Sequence, residues 1–249
     1  MRGLLILAFS LLSLNTFAAG SKIDIPKYDW SWKGFFGTYD RASAQRGLKV
    51  YREVCAGCHS MDLIAYRNLA DLGFSEAHIK AIAAEYLIPD GPNDEGEMFE
   101  REAIPSDRFA NPYPNVQAAR AANNGAYPPD LSLIVKARPK GADYLKALLL
   151  GYVEAPADKE VPEGQYYNKY MDGNLIAMPS PLSEGIVDYD DGTEATMDQM
   201  ATDVTTFLAW AAEPSLEDRK RIGLKVILFL FVLLVLAYIS KQQIWRDIK

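Results

Sequence analysis

Two apolar blocks stand at the ends of this chain, and between them short amphipathic runs alternate with polar stretches rich in proline and glycine. The first block, "MRGLLILAFSLLSLNTFAAGSK", has a basic start at Arg2, an apolar run from Leu4 to Leu14 and small residues from Ala18 to Gly20. That order predicts an export signal over residues 1–19, because the apolar run is too short to span a bilayer. The second block, "IGLKVILFLFVLLVLAYI" from Ile222 to Ile239, carries one charge, Lys225, near its edge. As a helix it rises about 27 Å, enough for a bilayer core when a flanking lysine snorkels. The pattern predicts an anchor helix over 222–240 and a short tail over 241–249.

Residues 20–221 read as helices joined by long loops. Apolar positions recur at helical spacing in "RASAQRGLKVYREVC", "SEAHIKAIAAEY", "ADYLKALLLGY" and "MDQMATDVTTFLAWAAE". Ser75 is placed to cap the second of these, Gly151 to end the third and Pro214 to stop the fourth. No stretch sustains strand-like alternation and no segment repeats, so the expected domain is mostly α, with large loop insertions around one core. Gly47 and Tyr51 stand eight and four residues before Cys55, on one helical face. They suit a close crossing with the last of these helices, where Phe207 and Trp210 share a face.

Composition narrows the partners. Asp and Glu number 33 against 26 Lys and Arg, for a net charge of −7. Nucleic acid is disfavoured by that sign, and a basic protein would be steered toward it. The acids gather in "DGPNDEGEMFERE" (Asp90 to Glu102) and "DYDDGTE" (Asp188 to Glu194). Both are read first as solvated surface, and second as docking ground. The basic residues Arg219, Lys220, Arg221 and Lys225 before the anchor outnumber Lys241, Arg246 and Lys249 after it. Charge alone would not put the C-terminus inside. The export signal overrides it, placing the domain outside and the short tail in the cytoplasm.

Chemistry concentrates in "YREVCAGCHSMD", which holds both cysteines and one of two histidines. A C-x-x-C pair suits a thiol redox couple, half a zinc site or attachment of a c-type haem. A closed zinc site needs four Cys or His ligands. Beyond Cys55, Cys58 and His59 the chain offers only His78, which reads as a surface or half-buried residue and not a ligand. A thiol couple gives His59 no task. Haem uses all three residues: the thiols add to the vinyl groups and the imidazole ligates iron. A sixth ligand would be the thioether of a methionine. Met178, in the proline-braced "NLIAMPSPL", competes for that place with Met171 and Met98.

Together "CAGCHSMDLIAYRNL", "NPYPNVQAARAANNGAYPPDLSLIVKAR", "GADYLKALLLGY", "LIAMPSPL", "DDGTEATMDQMATDVTTFLAWAAEP" and "RKRIGLKV" resemble the cytochrome c1 family in its bacterial form, from about Trp32 to Lys249. That family supplies the haem-c subunit of ubiquinol–cytochrome c reductases. The resemblance implies a class I cytochrome c-like haem domain with long insertions and one C-terminal transmembrane helix. It implies one haem c on Cys55 and Cys58, with His59 and Met178 as axial ligands. By the same likeness Asn123, Asn124, Ala126, Pro128 and Pro129 lie against the haem, and a proline carbonyl there accepts from the His59 ring. Arg138 matches the arginine that pairs with a propionate, with Arg120 ranked second. Ile134, Tyr144, Leu148, Ile176 and Pro181 match further wall positions. Met171 stands where the family carries an aromatic, and no cysteine remains for the disulfide that some bacterial relatives use to stiffen that loop.

The implied partners are a cytochrome b subunit, an iron–sulfur (Rieske) subunit, a cytochrome c acceptor and membrane lipid. The implied role is single-electron transfer with no substrate chemistry of the chain's own. A tethered cytochrome c, free-standing or attached to an oxidase, is the alternative, and an anchored thiol-disulfide protein a third reading.

Overall fold

The computed structural model describes residues 23–248. The expected export signal lies outside the described residues. Helix α1, Arg41–Val50, starts where the Asp40 carboxylate accepts the Ser43 amide at 3.1 Å. Its buried face is Ser43, Ala44, Gly47, Leu48 and Val50. The chain then enters a π-turn, Tyr51–Cys55, so the helix expected to run to Cys55 widens in its last turn, directly before the cysteine motif.

The partner of α1 is α6, Met197–Ala212, capped by Thr196. They cross at Gly47, where a Cβ would lie 2.0 Å from the Asp203 carbonyl oxygen and 2.8 Å from Phe207 Cβ. The Tyr51 ring packs 5.7 Å from Phe207, which packs 5.7 Å from Trp210. This is the crossing that the spacing predicts. Asp203, also at the crossing, is fully buried. Its carboxylate accepts from Ser43 Oγ at 2.7 Å, Gln199 Nε2 at 3.0 Å and Arg46 through Nε at 2.8 Å and a terminal nitrogen at 3.0 Å. Those donors are what make a charge at this depth tolerable.

Smaller elements close the domain. A 3₁₀ turn, Tyr66–Leu72, buries Tyr66, Leu69 and Leu72 and carries α2, Glu76–Ala84, whose N-cap is Ser75. His78 is exposed on α2. Helices α3 (Val116–Ala122), α4 (Ile134–Ala137) and α5 (Ala142–Leu150) follow, with α4 and α5 packed on α6. Two antiparallel ribbons add what the residue pattern did not predict. Strand β1 (Leu87–Asp90) pairs β2 (Phe99–Glu102), and β3 (Tyr166–Tyr167) pairs β4 (Leu175–Ile176). They are too short and too exposed for alternation to register. The first is fastened by Arg101, which pairs with Asp90 and with Asp107 at 2.7 Å.

The last helix, α7, spans Leu216–Trp245. Within it an 18-residue window has mean hydropathy 2.8 and none of its residues is buried. Its length and composition suffice to cross a membrane. It starts earlier than the apolar block because its first turns are clasped by the chain's N-terminal arm. Glu217 accepts from Arg41 at 2.6 and 2.9 Å and from the Tyr39 amide at 2.8 Å. Lys220 Nζ donates to the carbonyls of Trp32 (2.7 Å) and Gly37 (2.9 Å). Trp30 stacks on Trp32 at 4.8 Å, and Trp32 meets the Tyr39 ring at a tilt, 5.4 Å away.

Candidate functional site

The π-turn delivers Cys55 half-buried, Cys58 exposed and His59 half-buried, with no disulfide between the two cysteines. The Tyr51 hydroxyl, rooted in the helix crossing, donates to the His59 carbonyl at 3.1 Å and so ties the motif to the core. His59 Nδ1 lies 2.8 Å from the Pro129 carbonyl oxygen. A carbonyl only accepts, so Nδ1 carries the proton and Nε2 keeps its lone pair. Burial lowers the His59 pKa, opposed by the Pro129 carbonyl and by Asp130. The Pro129 contact holds the ring in one orientation and leaves Nε2 for a ligand, the arrangement of a metal-ligating imidazole. Burial, helped by Cys58, pushes the Cys55 thiol up to about 12.

Beneath that contact the two segments are laced together. Leu131 N donates to Ser60 O at 2.9 Å, while Ser60 Oγ and Asp62 N donate to Asp130 at 2.9 and 2.7 Å. Leu63 N donates to Ser132 Oγ at 3.0 Å, and Ser132 N to the other Asp130 oxygen at 2.9 Å. Sequence reasoning passed over Ser60, Asp130 and Ser132. The signal for Asp130 was its place in "PPDLS", where an aspartate readily accepts from the amide two residues on.

Other expected pocket residues fall into distinct settings. Asn123 closes α3, its amide donating to Ala119 O at 2.7 Å and Tyr113 OH at 3.1 Å, and Asn124 adopts φ 51° beside it. Ala126 and Pro128 are half-buried, and Pro129 is exposed. Ile134 is buried and joins the protein core. Arg138 is exposed and near enough to Tyr144 for its charge to oppose the burial that raises that phenol's pKa. Arg120 is already engaged, donating to Gly125 O at 2.8 Å and lying 5.8 Å from the Tyr127 ring centroid.

The methionine loop is positioned from the end of α5. Buried Asn168 donates to Leu148 O at 2.8 Å, and Gly151 sits so close that a Cβ there would lie 2.5 Å from Asn168 Oδ1. This packing holds the β3–β4 ribbon against α5. Tyr152 OH donates to the Met178 carbonyl at 3.0 Å, fixing the backbone of the loop that follows β4. Tyr144 OH reaches Met171 Sδ at 3.5 Å, so the rival thioether already has a donor. Met98 is exposed on the acidic β1–β2 loop. Leu148, Ile176, Met178 and Pro181 are only half-buried, unlike the closed core under α1 and α6. Two thiols, an oriented neutral imidazole, a braced methionine loop and half-covered apolar walls form a donor set that fits a covalently held haem.

Comparison with known proteins agrees with that chemistry. The family model described as the Cytochrome C1 family matches residues 30–248. The chain is 49% identical over 243 residues to cytochrome c1 of Rhodospirillum rubrum, covering 91% of this chain and 89% of that protein. It is also 49% identical over 243 residues to a mitochondrial cytochrome c1 heme protein of Solanum tuberosum, covering 96% and 94% respectively. A third relative, cytochrome b/c1 of Bradyrhizobium diazoefficiens, is 51% identical over 244 residues; they make up 89% of this chain but only 36% of that longer protein.

Proposed function

Since the chain belongs to the cytochrome c1 family, we propose that it is the membrane-anchored haem-c subunit of a quinol–cytochrome c reductase, passing single electrons from an iron–sulfur subunit to a cytochrome c. The observation that carries this reading is the Pro129 carbonyl on His59 Nδ1, which leaves Nε2 as the only ring nitrogen able to bind iron. When bound, the haem supplies a reversible one-electron change at iron.

The rest falls to the chain. Cys55 and Cys58 hold the porphyrin by thioether bonds, and His59 presents its Nε2 lone pair. Met178 offers a soft sulfur that favours the reduced metal and so raises the potential. Arg138 pairs with a propionate. Half-buried Ala126, Pro128, Leu148 and Ile176 would offer an apolar wall to the haem and limit its contact with water. Quinol oxidation falls to partner subunits. A cytochrome b neighbour is supported by the Bradyrhizobium relative, whose name joins b and c1 in one longer chain. Helix α7 is the bilayer anchor, with the haem domain periplasmic and residues 241–249 cytoplasmic, after removal of residues 1–19.

The test is purification from membranes of cells with intact c-type haem assembly. The haem should survive acid–acetone extraction and show a c-type reduced spectrum, and a b-type cytochrome should co-purify. Haem lost to the solvent would overturn covalent attachment. A protein that keeps its haem but purifies without any b-type cytochrome would point to a free-standing carrier.

A further inference from the structure

The clasp at the head of α7 presents an apolar tip to solvent. Residues 34–37, Gly-Phe-Phe-Gly, form the end of a tight loop in which Phe35 is 51% and Phe36 83% exposed. The two rings meet edge-on with centroids 5.0 Å apart. The neck below them is closed. Lys33 N donates to Trp30 O at 3.0 Å and Thr38 N to Ser31 O at 3.1 Å. Gly37 is pressed so closely on the neck that a Cβ would lie 2.1 Å from Lys33 O. Gly34 adopts φ 77° at the turn, a conformation that a side chain would strain.

This neck is bolted to the anchor. Lys220 Nζ holds both of its shoulders, the carbonyls of Trp32 and Gly37. Two residues further on, about 3 Å along the helix axis, Ile222 opens the exposed apolar surface of α7. The loop is therefore fastened at the level where the hydrocarbon-compatible part of the helix begins. Lys225, exposed on α7 about 4.5 Å further along the axis, can snorkel back to a phosphate. The tip itself carries aromatic rings and no side-chain donor or acceptor, the character of an apolar insertion at a headgroup boundary.

We propose that Phe35 and Phe36 insert into the headgroup–acyl boundary of a phospholipid bilayer beside α7, as a second contact that sets the tilt of the domain on the membrane. This rests on the reading of α7 as membrane-spanning. One transmembrane helix fixes depth but leaves the domain free to lean. A rigid loop fastened to the helix head removes that freedom.

A photoreactive benzophenone amino acid placed singly at Phe36, at Leu228 on α7 and at Phe99 on β2 tests this in the full haem-loaded protein, irradiated in native membranes. Adducts are identified by mass spectrometry. The lipid-adduct yield at Phe36 should come within about threefold of that at Leu228 and exceed that at Phe99 by roughly tenfold. Lipid capture at Leu228 with only protein adducts or none at Phe36 would overturn the inference while leaving the anchor intact. Protein adducts there would mean that a neighbouring subunit covers the tip. Absence of lipid at both Leu228 and Phe36 would overturn the anchor reading and the inference with it.

Discussion

Single residues carry most of the testable chemistry. On residue chemistry alone Met178, Met171 and Met98 are all open as sixth ligands, and the family likeness favours Met178. The fold adds a physical reason, since the Tyr144 hydroxyl occupies the Met171 sulfur while Tyr152 braces the Met178 backbone. Met178→Lys should keep the haem attached yet lower its midpoint potential steeply and nearly stop quinol oxidation, because a hard amine favours Fe(III). Met171→Leu should preserve the sulfur-to-iron charge-transfer band of the oxidised protein. Survival of that band in Met178→Lys and its loss in Met171→Leu would reverse the assignment. Gly47 makes a separate demand, since an added methyl would drive into the Asp203 backbone. Gly47→Ala should cost about 3 kcal/mol or more by overpacking, read as a lower melting temperature of the haem domain with an unchanged reduced spectrum. Cys55, Cys58, His59 and Gly47 could be picked out because each depends on short spacing along the chain. Asp130 and Ser132 escaped because their partners, Ser60, Asp62 and Leu63, come from a segment far earlier in the chain, and no local pattern encodes that pairing.

Among the elements, the apolar periodicity found α1, α2, α5 and α6, where burial follows helical spacing, while α7 was legible as one continuous apolar block. It missed the β1–β2 ribbon, whose strands are mostly exposed, and the short helices α3 and α4, which offer too few turns for a period to show. It also missed the true start of α7, because Glu217 and Lys220 are helical by virtue of contacts with the distant N-terminal arm. That clasp has a pH signature. The hydrogen bond from Arg41, then the Tyr39 amide, outweigh burial and hold the Glu217 carboxyl below its ordinary value of 4.5. A depressed carboxyl contributes fully above the unfolded pKa and loses its contribution as pH falls through the lower folded one. Hydrogen exchange at the Tyr39 amide in solubilised protein should therefore accelerate as pH drops below about 4.5, after correction for intrinsic rates. Glu217→Gln should make it fast at neutral pH and flatten that dependence. Equal protection in both proteins would show that Lys220 and the tryptophan stack suffice.

Over the whole molecule, the two acidic runs that look alike in sequence differ in their surroundings. In the second, Asp191 and Asp190 pair with Arg46 and Lys49 of α1 at 2.8 and 2.9 Å. In the first, Asp94, Glu95, Glu97 and Glu100 stand exposed around the β1–β2 loop. Reaction with a basic cytochrome c should slow as ionic strength rises toward the point where the Debye length is about 8 Å. Replacing Glu95 and Glu97 with glutamine should flatten that salt dependence more than replacing Asp190 and Asp191 with asparagine. The crossing of α1 with α6 also imposes an order of events on synthesis. Ribosomes build the chain from the N-terminus, so the cysteine motif exists long before its structural support, Phe207 and Trp210, has been made. Closing so long a loop is an entropic debt that only the late helix can settle. A nascent chain ending at residue 196 should stay protease-sensitive, its Cys-x-x-Cys-His segment open to modifying enzymes. The same segment in the finished protein should resist, so the last helix acts as the clock that ends the window for decorating the first.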